Sequence, residues 1–317
     1  MYRYFYGIND FPFGACPDPR FLYKLPHVQE ALACLQYGIA SRKGFVVMTG
    51  EVGTGKTTLL KTVLSSFTEK RISTAFVFNP RLDVLDFLEF VLADFGIPAS
   101  ARTKPGMPQT KSGMLMQLNR WLIDRFRNGE LCAIVVDEAQ NLSWELLEEI
   151  RLLTNLETSS EKLVQIILSG QPELEEKLRD PSVRQLRQRI SLWCRTRPLT
   201  LEETKAYIAK RLRIAGATQP ILTPEAVDLV HHYSKGIPRL INLVCEHAMI
   251  SAYVEQVKPI PPRIVESVSR ELDLDQQPFV ISPMALNGFP EDPMSSALSG
   301  AIHPVADSAD SLKDSEL

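Results

Sequence analysis

The sequence predicts a parallel α/β domain followed by a smaller helical one. Three observations carry that reading. Between residues 27 and 195, short β-branched runs alternate with stretches of helical periodicity. A glycine-rich turn lies between the first such run and the helix after it, at the strand end where parallel sheets gather their ligand-binding loops. From about residue 198 the strand-like runs stop and capped helices take over.

An aromatic, proline-rich opening reaches about Pro26. Strands are then expected over 44–49 (GFVVMT), 73–79 (STAFVFN), 131–137 (LCAIVVD), 163–169 (LVQIILS) and about 190–195 (ISLWCR). Apolar residues at three- and four-residue spacing mark helices over 27–41, 56–67, 83–95, 114–128 and 143–157. The connection 97–113 is rich in Pro, Gly, Ser and Thr and long for an internal link, and it reads as a mobile surface loop. Thr200 and Glu203 form a capping box that opens a helix ending at Gly216. Thr223-Pro224 caps the next helix, Gly236-Ile237-Pro238 separates it from one over 238–254, and Pro261-Pro262 opens a last one ending near 272. The domain boundaries that follow are 1–197, 198–272 and a tail over 273–317, whose unpatterned Pro, Ser, Asp and Gly are those of disordered chain.

A length of 317 residues, 44% hydrophobic and 23% charged, excludes a peptide hormone, a disulfide miniprotein and a chain disordered from end to end. Uninterrupted apolar runs such as Phe45 to Met48 and Leu131 to Val136 fall far short of the roughly 20 residues of a membrane span. The start, Met1-Tyr2-Arg3-Tyr4-Phe5-Tyr6, lacks the apolar stretch and cleavage site of a secretory leader. Cys16, Cys34, Cys132, Cys194 and Cys245 stand far apart with no C-x-x-C pair, so neither a zinc site nor a disulfide framework is expected, and a reducing cytoplasm fits. The net charge of -3 hides an asymmetry: 273–317 carries eight acids against Lys313, leaving 1–272 mildly basic. That balance permits nucleic-acid binding without demanding it.

The strongest chemical signal is Gly50-Glu51-Val52-Gly53-Thr54-Gly55-Lys56-Thr57, which fits G-x-x-x-x-G-K-[ST] between a buried strand and a helix. Glycines let backbone N–H groups curl around phosphate oxygens, and the helix start adds partial positive charge. Lys56 would reach the β- and γ-phosphates of ATP, Thr57 would ligate Mg²⁺, and Thr58 continues the cradle. About 80 residues on, the apolar run Ala133 to Val136 leads into Asp137-Glu138. Asp137 would hold the metal through water, and Glu138 would polarise the attacking water. At the end of the fourth strand, Gln171 is the candidate to touch the γ-phosphate or its water, with Ser169 in reserve.

Arginines cluster at Arg179, Arg184, Arg187, Arg189, Arg195 and Arg197, most of them a solvated face. Arg189 and Arg187 lead into the fifth strand, are expected at the domain edge on the nucleotide side but too far round to reach their own phosphate, and are the candidates to enter a neighbouring subunit's phosphate site. Arg239, in Gly236-Ile237-Pro238-Arg239, can swing from the second domain over bound nucleotide. His231 and His232 have no partner at metal-ligand spacing and read as structural, and Cys194 reads as a buried thiol.

Taken together, the P-loop, the D-E pair, the polar end of strand four, the arginines before strand five and G-x-P-R in a helical lid resemble an AAA+ ATPase over about 1–272. The opening narrows the resemblance through Phe11-Pro12-Phe13, Asp18-Pro19-Arg20-Phe21-Leu22-Tyr23, His27, Glu30-Ala31-Leu32 and Tyr37-Gly38-Ile39. With Asp137-Glu138-Ala139-Gln140, Gly170-Gln171-Pro172-Glu173-Leu174 and Gln188-Arg189-Ile190, the chain is similar to the ExeA/GspA family, the general secretion pathway protein A ATPases, and to related ATPases of pilus and exosortase loci. The resemblance implies a five-stranded sheet in the order 5-1-4-3-2 and a C-terminal helical lid. It also implies ATP hydrolysis, a homo-oligomer with a trans-acting arginine, and partners in an envelope secretion or polysaccharide-export apparatus. Full-length family members continue into a membrane span and a peptidoglycan-binding domain, whereas this sequence ends in an acidic tail. The expected location is therefore cytoplasmic, peripheral to the inner membrane through a membrane partner. A DNA-associated regulator resembling transposition-targeting ATPases is the alternative.

Overall fold

Five β-branched runs form β1 (Phe45–Thr49), β2 (Ile72–Val77), β3 (Leu131–Val136), β4 (Gln165–Gly170) and β5 (Leu192–Arg195). All pair in parallel in the order β2-β3-β4-β1-β5, which read from the other edge is the 5-1-4-3-2 arrangement the resemblance implies. The register sets Val46 against Leu192, Phe45 against Ile166 and Ala75 against Ile134. The computed structural model describes residues 2–14, 19–23, 25–67, 71–78, 80–98 and 110–274, all within one unit, Met1–Asp275.

Strand pleating divides the apolar residues between two cores. Phe45, Val47, Val77, Ile134, Val136 and Leu168 face one side. Val46, Met48, Ala133, Val135, Ile167 and Cys194 face the other. The helices are α1 (Tyr2–Tyr6), α2 (Pro26–Ala40), α3 (Lys56–Ser65), α4 (Val84–Asp94), α5 (Lys111–Arg127), α6 (Trp144–Leu153), α7 (Pro172–Arg179), α8 (Arg184–Arg187), α9 (Leu201–Ile214), α10 (Pro224–Ser234), α11 (Pro238–Val254) and α12 (Pro262–Glu271). Leu35 and Ile39 of α2 and Leu59, Leu60 and Val63 of α3 complete the second core. Helices α4, α5 and α6 cover the first with Phe87, Leu118, Leu122 and Ile150. Burying each such side chain contributes roughly 1.5–3 kcal/mol.

Several ends differ from the sequence expectation. Helix α5 begins inside the connection read as a loop, because the Thr110 hydroxyl accepts from Gly113 N and caps it. The remainder of that connection, 99–109, lies outside the described residues. Helix α6 stops at Leu153, and β4 starts two residues late because Leu163 N donates to Leu156 O instead of joining the sheet. The expected disordered tail lies outside the described residues from 275 on, while Leu274 packs against the helical core.

That third core brings together Ile208, Leu212, Val230, Ile241, Val244 and Val265 from α9 to α12. The capping box on α9 forms, with Thr200 Oγ1 accepting from Glu203 N and Glu203 Oε2 accepting from Thr200 N. The aromatic opening packs here too. Tyr2, Ile8, Phe13 and Leu25 are buried in the helical core, Tyr2 donates to Glu246 at 2.7 Å, and the Arg211 guanidinium lies 4.8 Å from the Phe21 ring centroid. Residues that precede β1 by some 20 to 40 positions are thus part of the helical core formed by α9 to α12.

Candidate active site

The G-x-x-x-x-G-K-T segment leaves β1 at Thr49 and enters α3 at Lys56. Gly53 and Gly55 have φ of +82° and +93°, values that side chains with a Cβ resist. Lys56 is buried, and its ammonium donates to Gly50 O at 2.7 Å and Glu51 O at 3.0 Å. Burial lowers its pKa, against the opposing pull of the Glu138 and Asp137 carboxylates. A desolvated ammonium held by two loop carbonyls, beside a helix N-terminus, is a receptive site for anionic oxygen. Glu51 and Val52 are exposed at the rim, while Thr58 is half-buried on the first turn of α3.

A residue with no motif to announce it braces this loop. Thr196, just past β5, shares a 2.7 Å hydrogen bond with Thr54 Oγ1, and its own N–H donates to Thr49 O. A methyl group on Gly50 would come 2.0 Å from the Thr196 hydroxyl, so a glycine there is a packing requirement.

Three strand ends converge on Asp137 and Glu138. Thr57 Oγ1 and Ser169 Oγ each donate to Asp137, to Oδ2 and Oδ1 respectively, both at 2.8 Å. Glu138 adopts a left-handed backbone, φ 53°, which turns it out of the strand line. Its Oε2 accepts from Gln171 Nε2 at 3.0 Å and from Gln140 Nε2 at 2.6 Å, and Gln140 in turn accepts from Gln171 N. Burial raises the Glu138 pKa, but the two amide donors and the Lys56 charge outweigh it and hold the carboxyl below the ordinary range. It is therefore ionised at neutral pH and able to accept a proton. Gln140 was singled out by no site argument. Its D-E-A-Q spacing would have found it, since two residues past a strand-end acid a side chain can fold back onto it.

The arginines separate into two groups. Arg195, at the carboxyl end of β5, makes a two-point ion pair with Glu175, which also accepts from Thr49 Oγ1. Arg197 pairs with Glu203, and that pairing drives the Glu203 carboxyl down to about 2. Arg189 sits at the other end of the sheet, ahead of β5, where it donates to Thr154 Oγ1 and Asn155 Oδ1 beside Gly44 and Ser191. Arg184 and Arg187 are exposed on α8. The lid closes on the P-loop through its backbone: Arg239 N donates to Gly53 O at 3.1 Å, and a methyl group on Gly53 would lie 2.8 Å from Arg239 Cβ. The Arg239 side chain is exposed. His231 is bound to Thr204 through Nδ1, and among the described residues no His, Cys, Asp and Glu group could hold a metal ion by itself.

Three comparisons bear on these features. The AAA-domain family matches residues 39–178. A general secretion pathway protein A from Aeromonas hydrophila is 43% identical over 255 residues, which is 80% of this chain and 45% of that one, so the chain spans about half the length of that curated relative. Among solved structures, Cdc6p from Pyrobaculum aerophilum superposes with a TM-score of 0.66 at 19% identity, covering 89% of this chain and 75% of that one. The ORC2 protein of Aeropyrum pernix, solved with ADPNP and ADP, gives 0.57 at 16% identity over 80% and 71%. These structural likenesses establish the fold.

Proposed function

We propose that this chain, which belongs to the AAA+ proteins of the general secretion pathway protein A type, binds ATP with Mg²⁺ and hydrolyses it to support assembly or operation of a bacterial envelope secretion, pilus or polysaccharide-export system. The observation that carries the reading is the convergence of Lys56, Thr57, Asp137, Glu138 and Gln171 at one end of the sheet. The donor set suits Mg²⁺, since the Thr57 hydroxyl and the Asp137 carboxylate are adjacent hard oxygens beside the loop that would hold phosphate. When bound, the ion would neutralise phosphate charge.

In this reading Lys56 leaves the Gly50 and Glu51 carbonyls for phosphate oxygens, while the backbone from Gly50 to Thr58 cradles the chain of phosphates. Glu138 orients a water on the γ-phosphorus and takes its proton as the bond to the β-phosphate oxygen breaks. Gln171, already on Glu138, fixes the direction of that carboxylate. Arg239 reaches over the nucleotide from the lid, and Arg189 or Arg187 serves a second copy of the chain in a homo-oligomer. The secretion role rests on the 43% identity to the Aeromonas hydrophila protein, and with it a cytoplasmic position at the inner membrane through a membrane partner.

The test is ATP turnover by the purified chain, with and without Mg²⁺, beside recovery of inner-membrane proteins from cells. Mg²⁺-dependent phosphate release and co-recovery with export components are expected. ATP-dependent, salt-sensitive retention on DNA with no membrane recovery would replace the secretion role with the DNA-associated one.

A further inference from the structure

We propose that Cys34 and Cys194 are a redox modification site, two thiols poised to form a reversible disulfide that staples α2 to β5. They lie 160 positions apart in sequence, yet their Sγ atoms are 2.6 Å apart. A disulfide bond is about 2.04 Å long, so closure needs a movement of only about 0.6 Å between the sulfurs. What brings them together is a glycine one turn along the helix. Gly38 lets α2 ride so close to the sheet that a methyl group there would come 2.8 Å from Val46 Cγ2 and 3.0 Å from Leu192 Cδ1. Cys34, four residues earlier on the same helix face, is thereby pressed onto β5, where its sulfur also reaches Trp193 O.

The two thiols are unequal in a way that sets the order of events. Cys34 is half-buried and open to small oxidants, whereas Cys194 is 3% exposed and burial raises its thiol pKa. With a hydroperoxide as oxidant, the Cys34 thiolate attacks the O–O bond, forming a sulfenic acid and releasing the leaving oxygen as water or alcohol. The Cys194 sulfur then attacks the Cys34 sulfur and expels its hydroxyl as a second water. Two thiols give up two electrons to one hydroperoxide, and an external dithiol reverses the reaction. Cys132 and Cys245 are buried as well, but neither has a sulfur partner among the described residues. The staple would act close to the P-loop, since Cys194 is two residues from the Thr196 that braces Thr54.

The full chain treated with hydrogen peroxide is expected to lose about 2 Da by intact mass and, when denatured and given a thiol-blocking reagent, to take up two fewer blocking groups than the untreated chain. Peptide mapping should link Cys34 to Cys194, dithiothreitol should reverse the link, and Tm should rise by about 5 °C or more. Cys34→Ser and Cys194→Ser should each abolish the link, with Cys194→Ser leaving Cys34 to proceed to sulfinic acid. Cys132→Ser, or a Cys16→Ser background, should leave the link intact. Accumulation of sulfinic acid on Cys34 in the unsubstituted chain, a link through another cysteine, or failure of either thiol to react with hydrogen peroxide would each overturn the proposal.

Discussion

The two ends of the sheet contain similar polar side chains and do different things with them. At the amino ends, Lys162 donates to Thr154 O, Ser191 to Lys43 O, Gly44 N to the Gln165 amide and Arg189 to Thr154 and Asn155. Each bond closes a loop. At the carboxyl ends, Lys56 sits on two carbonyls it can exchange, Asp137 collects two hydroxyls, and Glu138 is turned by a left-handed backbone toward two amides. The difference comes from the neighbours: at the carboxyl end a helix of ten residues, α3, points its N-terminus into the convergence. Polar residues at strand ends become a site where a helix N-terminus meets them, and become scaffold where it does not.

That contrast is broken most sharply by Arg189. If the amino end only closes loops, Arg189→Ala should cost stability and little else. The shared-site reading expects normal ATP binding with turnover lost by about 10³ or more. Equimolar Arg189→Ala and Lys56→Ala chains, each inactive alone, should then regain activity together in a phosphate-release assay. Absence of rescue, with activity independent of protein concentration, would leave Arg239 as the better candidate.

Next in size, Glu138→Gln should lower turnover by about 10²–10⁴ while leaving nucleotide affinity in place, because the amide keeps its shape and loses the proton acceptor. Single-turnover phosphate release read beside a fluorescent-nucleotide Kd separates the two. Gln140→Ala should lower kcat by a smaller factor and raise the apparent pKa of the kcat–pH profile, since one of the donors holding Glu138 below the ordinary carboxyl range is gone.

Gly53→Ala tests the loop's dependence on backbone freedom. A Cβ at φ +82° costs about 1–2 kcal/mol and would strike Arg239 Cβ, so Tm should fall by a few degrees, and ATP affinity should fall about 10-fold as the loop relaxes out of its phosphate-binding shape.

The smallest effect belongs to the ion pair between Arg197 and Glu203. Glu203 has its folded pKa lowered to about 2 by Arg197, so the stability it contributes is fully present above its unfolded value near 4.5 and is lost as pH falls toward 2. With screening at the exposed Arg197, about 1–2 kcal/mol is expected. Glu203→Gln should flatten the urea midpoint between pH 5 and pH 2 by that amount.

Strand positions, helix positions and the α9 capping box were legible because each depends on neighbours within a few residues. The strand order came from a resemblance, since periodicity fixes no pairing. The features that escaped share one property, long sequence separation. Tyr2 meets Glu246, Thr196 meets Thr54, Cys34 meets Cys194, and nothing in the local pattern of either partner indicates the other. Gln140 is the exception, close enough to Glu138 to have been found. Arg189 does not lie on the expected nucleotide side, because a residue that precedes a strand parallel to β1 falls at the amino end of the sheet, away from the loop that follows β1.

The bond from Arg239 N to Gly53 O has an evolutionary side. It joins lid to loop through main-chain atoms, so almost any amino acid at 239 preserves it, and proline, which lacks the hydrogen, removes it. Mutational drift across the side chains of the lid therefore leaves its tie to the loop unchanged.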